Sequence, residues 1–465
     1  MPSTPPSWTP PSPLSPLPPA TMPWARWRRR TRVPPSCTRC RPASTRPRRS
    51  LSTFATDHPD SPKEHRTMPL ALLDGPPTRT RPFAPWPSVN TATRKALVAA
   101  HDSGTWWQNG NSAAEELEAW LEAEFERRAI AVSSGTAALG LALAALGIGR
   151  GDEVLVPACT FVSSAAAVSA RGAVPIPVDI TSDTLTLDAG IAETAVTSRT
   201  RAIVPVHLAG HPADLTAITA LARRHHLAII EDAAQTVAAS WAGTRVGTAT
   251  DATILSFQAA KLLPGGDGGA LLLRDEQTAR RAERLANCGR PRGSSAYDHE
   301  LLGSNARISV FAAALVLAHT RTYEHMWRAR EGQWHALAEA LVGQGHGGLL
   351  AEPHPEATRH DHYAVLVRLP ASLTERGVRA STLAAALAAE GIPSRTLFPP
   401  WQATPAYRDD PQVNAVPTPR AVEVAATTVA LPHQLLLDPY FPTQTAAALT
   451  KIIAAGDDLI AWQQV

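Results

Sequence analysis

Short apolar runs alternate with longer stretches rich in alanine and leucine between residues 129 and 273. Several of the short runs are apolar throughout, which is the pattern of strands covered on both faces. The pattern predicts seven strands, at Ala129–Val132, Glu153–Val156, Val174–Val178, Ala202–Val206, Ala228–Glu231, Ala252–Ser256 and Ala270–Leu273. It predicts helices between them at Ala137–Leu146, Val162–Ala170, Leu215–His226 and Glu276–Ala286. This alternation indicates an α/β fold with a mostly parallel sheet wrapped by helices.

The segments on either side of this region complete the predicted domain organisation. A proline-rich arm (69–87) precedes it, and a segment of mixed strand and helix patterns follows it. The further helices are predicted near 92–101, 112–128, 308–345, 381–390 and 443–456, with one more strand at Tyr363–Val367. We therefore expect a large domain over residues 68–345, arm included, and a smaller α+β domain over residues 346–465.

Residues 1–67 differ in composition from the rest of the chain. They hold 16 of the 42 prolines, and 12 basic residues against 3 acidic ones. Because this segment has low hydrophobicity and no periodicity, it cannot bury enough apolar surface to offset its chain entropy, and we expect a disordered tail. The rest of the chain has 32 basic against 38 acidic residues, a balance that argues against nucleic acid as its partner.

The chain has four cysteines, Cys37, Cys40, Cys159 and Cys288. Cys37 and Cys40 have the spacing of zinc ligands but no second pair, and His360 and His362 lack a third ligand nearby, so no metal site is expected. Scattered cysteines without a disulfide framework are typical of a reducing compartment. No apolar stretch has the length of a signal sequence or a membrane span. We therefore expect a cytoplasmic protein with no membrane partner.

Lysine is rare in this chain, and one lysine has an unusual setting. There are 4 lysines against 40 arginines. Lys261 lies between the predicted strand Ala252–Ser256 and a glycine cluster at residues 265–269. Arginine stays protonated, whereas a partly buried lysine can lose its proton and act as an amine nucleophile. Lys261 is therefore a candidate catalytic residue.

Other candidate residues follow the predicted strands, whose carboxyl ends meet at one edge of a parallel sheet, where ligands bind. They are Ser134, Gly135, Thr136, Phe161, Asp232, Gln235 and Ser256. The first three would place hydroxyl and N–H groups at a helix N-terminus, which suits an anion. With Lys261 the set supplies a phosphate cradle, a stacking ring, a carboxylate, a hydrogen-bond donor and an amine. Pyridoxal phosphate needs all five, and the carboxylate would keep its pyridine nitrogen protonated.

These motifs resemble those of a known family, the DegT/DnrJ/StrS group of pyridoxal-phosphate aminotransferases, also called sugar aminotransferases. The resemblance runs from about Leu70 to the C-terminus. Its markers are Ser134-Gly-Thr136, Pro157-x-x-Thr-Phe161, Glu231-Asp-Ala-Ala-Gln235, Ser256-Phe-x-x-x-Lys261 and Gly266-Asp-Gly-Gly269. The resemblance implies the aspartate-aminotransferase fold (fold type I), with a large sheet domain and a small C-terminal domain.

The resemblance also implies a role for each site residue. Lys261 would form the Schiff base with the cofactor, and Asp232 would pair with the pyridine nitrogen. Gln235 would contact the ring hydroxyl, and Phe161 would stack on the ring. The phosphate would be held beside Ser134 by Gly135, Thr136 and Ser256. Asn305 would reach the phosphate bound to the neighbouring subunit, which implies a homodimer with shared active sites.

Two branches of the family share features with this chain. Gly104-Thr-Trp-Trp107 and Cys288-Gly-Arg-Pro-Arg292 resemble the 3-amino-5-hydroxybenzoate synthase branch and, in part, its aminocyclitol-forming relatives. Gln235 stands where that branch tends to have His and where sugar and cyclitol enzymes usually have Gln. The resemblance implies amino transfer from glutamate or glutamine to a keto-sugar, keto-cyclitol or related cyclic ketone in antibiotic biosynthesis.

Two alternatives remain open at this point. One keeps the cofactor and changes the reaction to dehydration and aromatisation of an aminodehydroshikimate-type ring, as in the hydroxybenzoate branch. The other is a regulatory or nucleic-acid-binding protein that has lost catalysis. Such a loss often replaces the Schiff-base lysine or its acidic partner, and both Lys261 and Asp232 are present.

We expect Met68 to be the first residue of the native chain, because the stretch that begins there looks like a natural start. It reads Met-Pro-Leu-Ala-Leu-Leu-Asp-Gly and follows the tail of residues 1–67 directly. We expect the native protein to have the mass of residues 68–465. Intact-mass measurement tests this, and a mass that includes residues 1–67 would contradict it.

Overall fold

The computed structural model describes residues 69–108, 110, 112–294, 297–413 and 416–463. The tail of residues 1–67, Met68, and the pair Cys37 and Cys40 lie outside the described residues, so what the sequence predicts for them stays a prediction.

Seven strands form one large sheet, as the apolar pattern predicts. In chain order, with a short hairpin after the fifth, the strands are β1 (Arg128–Val132), β2 (Glu153–Pro157), β3 (Val174–Val178), β4 (Thr200–Ile203), β5 (Ala228–Asp232), the hairpin strands β6 (Ser240–Trp241) and β7 (Thr244–Arg245), β8 (Ala252–Ser256) and β9 (Gly269–Leu273). The large sheet has the order β1-β9-β8-β5-β4-β2-β3. Within this sheet β9 runs in the direction opposite to that of the other six strands. The predicted bounds of β4 were wrong: the strand begins two residues earlier, and it ends three residues earlier because Pro205 has no N–H for the ladder.

Helices cover both faces of this sheet. They are α1 (Thr91–Asp102), α2 (Ala113–Phe125), α3 (Gly135–Ala145), α4 (Ser163–Ser169), α5 (Ala189–Thr194), α6 (Leu215–His225), α7 (Glu276–Ala286) and α8 (Val310–Gly343). Side chains alternate along each strand, so Ile130 packs with α3 and α7 while Ala131 packs with α2 and α8. The predicted helix 112–128 was too long, because Glu126 adopts a left-handed conformation (φ 53°) that ends α2. None of the described helices is both long and apolar enough to span a membrane.

A smaller antiparallel sheet follows the long helix. Its strands β10 (Ala364–Arg368), β11 (Arg395–Thr396) and β12 (Thr428–Pro432) have the order β10-β12-β11. The helices that surround it are α9 (Ala371–Thr374), α10 (Ala380–Ala389), α11 (Pro419–Thr427), α12 (Phe441–Ala454) and α13 (Gly456–Gln463). This part has its own buried apolar cluster. The predicted fold class, a large mostly parallel sheet with a smaller C-terminal α+β part, is confirmed.

The proline-rich arm packs against the smaller sheet's helices. Leu70 is fully buried in their apolar cluster. The carboxylate of Glu390 accepts hydrogen bonds from the N–H of Ala71 at 2.9 Å and of Thr78 at 2.8 Å. Lys451 pairs with the same carboxylate at 2.8 Å. One buried acid thus joins the start of the described chain to its C-terminal helices.

Gly269, the first residue of β9, lies against the turn between β1 and α3. A Cβ atom at this position would lie 2.5 Å from the carbonyl carbon of Ser134 and 2.6 Å from the nitrogen of Gly135. Both contacts are with backbone, which cannot rotate away. We therefore expect Gly269→Ala to lower the free energy of unfolding by about 1–3 kcal/mol, measured by urea denaturation.

Gly140 in α3 is the matched control, because a Cβ there meets nothing within 4 Å. We expect Gly140→Ala to leave stability unchanged or raise it by up to about 1 kcal/mol, since alanine favours helix over glycine. Equal effects of the two substitutions would contradict the close approach of β9 to the turn.

Candidate active site

A cavity of about 470 Å³ opens where β5 and β8 end. Eight of the nine site residues predicted from sequence line it, namely Ser134, Gly135, Thr136, Phe161, Asp232, Gln235, Ser256 and Lys261. β5 and β8 are parallel neighbours, and Asp232 pairs with Ile254 in their register. Residues far apart in the sequence therefore reach the same edge of the sheet.

The turn that begins α3 forms one wall of this cavity. The hydroxyl of Ser134 accepts from the N–H of Ala137 at 3.1 Å, and its carbonyl accepts from the N–H of Ala138 at 3.0 Å. The other N–H groups of this first helical turn belong to Gly135 and Thr136, and no hydrogen bond within the described residues uses them. They are thus available to an anion in the cavity.

Ser256 stands directly beside this turn. A Cβ on Gly135 would lie 3.1 Å from the Cβ of Ser256, so any larger residue at position 135 would crowd the serine. The close packing places the side chain of Ser256 next to the backbone of Gly135. Together with Thr136 they can bind one phosphate group.

Asp232 ends β5 and is held in a fixed orientation. Its Oδ2 accepts from the hydroxyl of Ser164 at 2.7 Å, and its Oδ1 accepts from the N–H of Ala234 at 3.1 Å. The hydroxyl of Ser164 lies 3.0 Å from that of Thr160, which also lines the cavity. A buried carboxylate with fixed partners can hold a proton on a ring nitrogen of a bound ligand.

Glu231, the neighbouring acid, points to the opposite face of the sheet because side chains alternate along a strand. It is fully buried and lies 2.9 Å from Nε2 of His207. Nδ1 of His207 accepts from the N–H of Ala213 at 3.0 Å, so the proton is on Nε2 and is donated to Glu231. This pair is structural, and neither residue lines the cavity.

Gln235 and Phe161 frame the cavity on two further sides. The Oε1 atom of Gln235 accepts from the N–H of Ala209 at 2.8 Å, which leaves its amide NH₂ as a donor. Phe161 is 57% exposed, and its ring centroid lies 6.1 Å from that of Phe398. One face of the Phe161 ring therefore remains open to a planar ligand.

Lys261 lies on a loop that turns back on itself after β8. The N–H of Lys261 donates to the carbonyl of Gln258 at 2.8 Å. Gly266 (φ 90°) and Gly268 (φ 143°) adopt conformations that other residues rarely take, which lets the chain return into β9. Nζ of Lys261 lies 4.9 Å from the ring centroid of Tyr363. The amine thus enters the cavity against an aromatic ring.

Several residues that line the cavity were not predicted. They are Ser164, Gln258, Tyr363, Arg395 and Phe398. Tyr363, Arg395 and Phe398 belong to the smaller sheet or its loops, and no local pattern indicates that this sheet reaches the cavity. Only contact between the two sheets could reveal them.

Asn305 lies apart from this cavity, in a separate surface pocket with Trp106 and Trp107. The two tryptophans are 58% and 53% exposed. The predicted contact of Asn305 with a neighbouring subunit therefore stays a prediction.

The segment His360-Asp361-His362 is structural. Asp361 is fully buried, and its carboxylate accepts from the hydroxyl of Tyr323 at 2.6 Å and from the N–H of Val237 and Ala238. Burial raises the pKa of this carboxyl, but its hydrogen bonds outweigh burial and hold the pKa below the ordinary value. Among the described residues no group of His, Cys, Asp and Glu side chains could hold a metal ion.

Comparison with known proteins gives one consistent result. Residues 88–447 match the DegT/DnrJ/EryC1/StrS aminotransferase family. The chain is similar to 3-amino-5-hydroxybenzoate synthase of Amycolatopsis mediterranei (strain S699), at 35% identity over 76% of this chain and 93% of the relative. It is also similar to L-glutamine:2-deoxy-scyllo-inosose aminotransferase of Streptomyces fradiae, at 34% identity over 84% of this chain and 99% of the relative.

A solved structure extends the similarity to three dimensions. The crystal structure of 3-amino-5-hydroxybenzoic acid synthase superposes with a TM-score of 0.75 at 31% identity, over 81% of this chain and 100% of that chain. The match spans both sheets and every residue that lines the cavity falls within the family range of residues 88–447. The chain therefore belongs to the DegT/DnrJ/EryC1/StrS aminotransferase family.

Proposed function

We propose that this protein is a pyridoxal-phosphate-dependent enzyme that transfers the amino group of glutamine or glutamate to a keto-cyclitol in antibiotic biosynthesis. The observation that carries the proposal is the single cavity in which Lys261, Asp232 and the turn at Ser134–Thr136 meet. Membership of the aminotransferase family supports the reaction class.

The residues of the cavity fit pyridoxal phosphate. Its volume of about 470 Å³ falls within the roughly 300–1,000 Å³ of small-molecule sites. Gly135, Thr136 and Ser256 offer N–H and hydroxyl groups for the phosphate, and Asp232 offers a carboxylate for the ring nitrogen. When bound, the cofactor would supply an aldehyde that receives the amino group and a ring that accepts electron density.

The chain's own residues would then carry the proton transfers. Lys261, once its amine is free, would take a proton from the donor carbon that bears the amino group. In the second half-reaction it would give a proton to the former carbonyl carbon of the acceptor. Asp232 holds a proton at the ring nitrogen, and Ser164 keeps that carboxylate oriented through the bond at 2.7 Å. Tyr363 restricts water on one side of Lys261, where its ring centroid lies 4.9 Å from Nζ.

Charge in the cavity favours an acceptor without a nucleotide. Among the described residues that line it, Lys261 and Arg395 are the only cationic side chains. Arg395 can pair with the carboxylate of the amino donor through its planar guanidinium. The described residues of one subunit thus offer no further cation for the diphosphate of a nucleotide-linked sugar, which supports a keto-cyclitol. The name of the Streptomyces fradiae relative, and Gln235 in place of His, point the same way.

A second candidate is dehydration and aromatisation of an amino-substituted cyclic acid. The similarity to 3-amino-5-hydroxybenzoate synthase in sequence and in structure favours it. In that case Arg395 would pair with the ring carboxylate of the substrate, since the cavity offers the same cation.

We also propose a homodimer in which each cavity is completed by the other subunit. The phosphate side of the cavity, Ser134–Thr136 with Ser256, contains no cationic side chain. Asn305 lines a separate pocket, beside two exposed tryptophans, Trp106 and Trp107. An exposed aromatic pair of this kind is typical of a subunit interface.

The reaction is tested by incubating the protein and pyridoxal phosphate with glutamine and three ketones. These are 2-deoxy-scyllo-inosose, an amino-substituted cyclic keto acid and a nucleotide-linked keto-sugar. We expect the cyclitol to be aminated with the highest kcat/KM, and Lys261→Ala to lower kcat by about 10²–10⁴-fold through loss of the proton carrier. Aromatisation of the amino-substituted cyclic acid instead would establish the second candidate, and full activity of Lys261→Ala would contradict both.

Arg395→Gln serves as the comparison variant, because it leaves Lys261 and Asp232 in place. We expect a rise in the KM for glutamine of about tenfold or more, since a charged hydrogen bond to the donor carboxylate is lost, with a smaller change in kcat. An unchanged KM would show that the donor carboxylate binds elsewhere.

The shared site is tested by mixing two inactive variants, Lys261→Ala and Asn305→Asp. If Asn305 serves the neighbouring subunit, each mixed dimer has one intact site, and random mixing restores about a quarter of wild-type activity. If Asn305 acts within its own subunit, mixing restores nothing. We expect size-exclusion chromatography to show both variants as dimers, and monomers would contradict the proposal directly.

A further inference from the structure

Two side chains contact the backbone of Ala260, the residue that precedes Lys261, one at its N–H and the other at its carbonyl. Its N–H donates to Oε1 of Gln258 at 2.7 Å. Its carbonyl lies 3.1 Å from Nε2 of His433. Gln258 belongs to the same loop, whereas His433 comes from the other sheet, directly after β12. The carbonyl contact therefore ties the lysine loop to a separate part of the fold.

His433 is fixed by its own surroundings. It is 1% exposed. Its N–H donates to the carbonyl of Tyr363 at 3.1 Å, and its ring stacks on the Tyr363 ring with centroids 5.5 Å apart. On another side it meets the ring of Trp86, from the N-terminal arm, edge to face at 4.9 Å. A ring packed in this way has little freedom to leave the carbonyl of Ala260.

Tyr363 provides a second link between His433 and Lys261. Its ring, stacked on His433, is the one that lies 4.9 Å from Nζ of Lys261. His433 is thus linked to Lys261 at two points: the carbonyl of Ala260, which precedes Lys261, and the ring of Tyr363, which lies beside the amine.

The protonation state of His433 suits a fixed donor. Burial, together with the nearby positive charges of Arg330, Lys261 and Arg395, lowers its pKa to about 3, against the opposing contribution of the Ala260 carbonyl. The imidazole is therefore neutral at ordinary pH. Since Nε2 faces a carbonyl, Nε2 has the proton, and Nδ1 has no partner among the described residues. A neutral donor of this kind does not add a charge beside Lys261.

We infer that His433 is a positioning residue for Lys261, which it holds in reach of the cofactor through the carbonyl of Ala260 and the ring of Tyr363. The inference rests on the proposed function, because it assigns to His433 the role of holding Lys261, whose amine reacts only if that function is right. It predicts that loss of the Nε2–H donor shifts the amine away from its reacting partner, and such small shifts are costly in catalysis.

Three variants test this. His433→Met removes the donor and keeps an apolar side chain of similar length. His433→Gln keeps an N–H that can reach the carbonyl of Ala260. His319→Met is the matched control, since His319 is also buried and also lies against Trp86, at 6.3 Å, but belongs to α8.

Two measurements apply to each variant, starting from protein stripped of cofactor. Titration with pyridoxal phosphate, followed by tryptophan fluorescence, gives the Kd without any need for activity. Steady-state assays then give kcat and KM separately. We expect His433→Met to raise the Kd and lower kcat by about tenfold or more with little change in the KM of the donor. His433→Gln and His319→Met should stay within about threefold of the wild type in all three constants.

The outcomes separate the inference from the proposed function. Failure of the wild type to bind pyridoxal phosphate would overturn both. Binding by the wild type with an unchanged His433→Met would overturn the inference alone. Equal losses in His433→Met, His433→Gln and His319→Met would also overturn it, because they would show a packing role. Rescue by glutamine alone supports it.

Discussion

The parallel ladder between β5 and β8 is the constraint on which the site depends. It pairs Asp232 with Ile254, so both strands leave the sheet at the same edge. The acid at the end of β5 and the loop that begins at Ser256 therefore emerge side by side. β9 then returns antiparallel to β8 and brings Gly269 against the turn at Ser134–Gly135. Backbone pairing thus brings together the turn at Ser134–Thr136, the carboxylate of Asp232 and the start of the loop that contains Lys261.

The alternation of side chains along β5 decides which acid can do chemistry. Glu231 turns into the core, where groups such as His207 donate hydrogen bonds to it, while Asp232 turns into the cavity and is held by Ser164. The smaller sheet supplies what the large sheet lacks. Tyr363 and Arg395 reach the cavity from it. The site therefore needs both sheets in place, which the buried contacts between them secure.

Much of this could be predicted from the sequence, for a physical reason that also sets the limit. Strands buried on both faces have apolar sequences, and residues at their carboxyl ends must meet at one edge of the sheet. Lys261, Asp232 and the Ser134–Thr136 turn could therefore be predicted. The exact ends of individual helices and strands were harder to predict. The left-handed Glu126 that ends α2 has no strong sequence signal.

The contributions of the smaller sheet could not be predicted. Arg395 lies on a strand of two residues, too short for any periodicity, and His433 acts through the carbonyl of Ala260, a contact between segments 173 positions apart. Such contacts depend on how two sheets pack, and side-chain patterns along one segment do not encode that. Asn305 shows the opposite case, because the family resemblance assigns it a role that a single chain does not display.

The central claim is that Lys261 is the lysine to which pyridoxal phosphate attaches. It is tested most directly by reducing the cofactor-loaded protein with sodium borohydride and locating the added pyridoxyl phosphate group by peptide mass spectrometry. The chain has only 4 lysines, so the assignment is unambiguous. We predict the group on the peptide that contains Lys261 and on no other. A label on Lys95 or Lys451 with none on Lys261, or no label at all, would contradict the account.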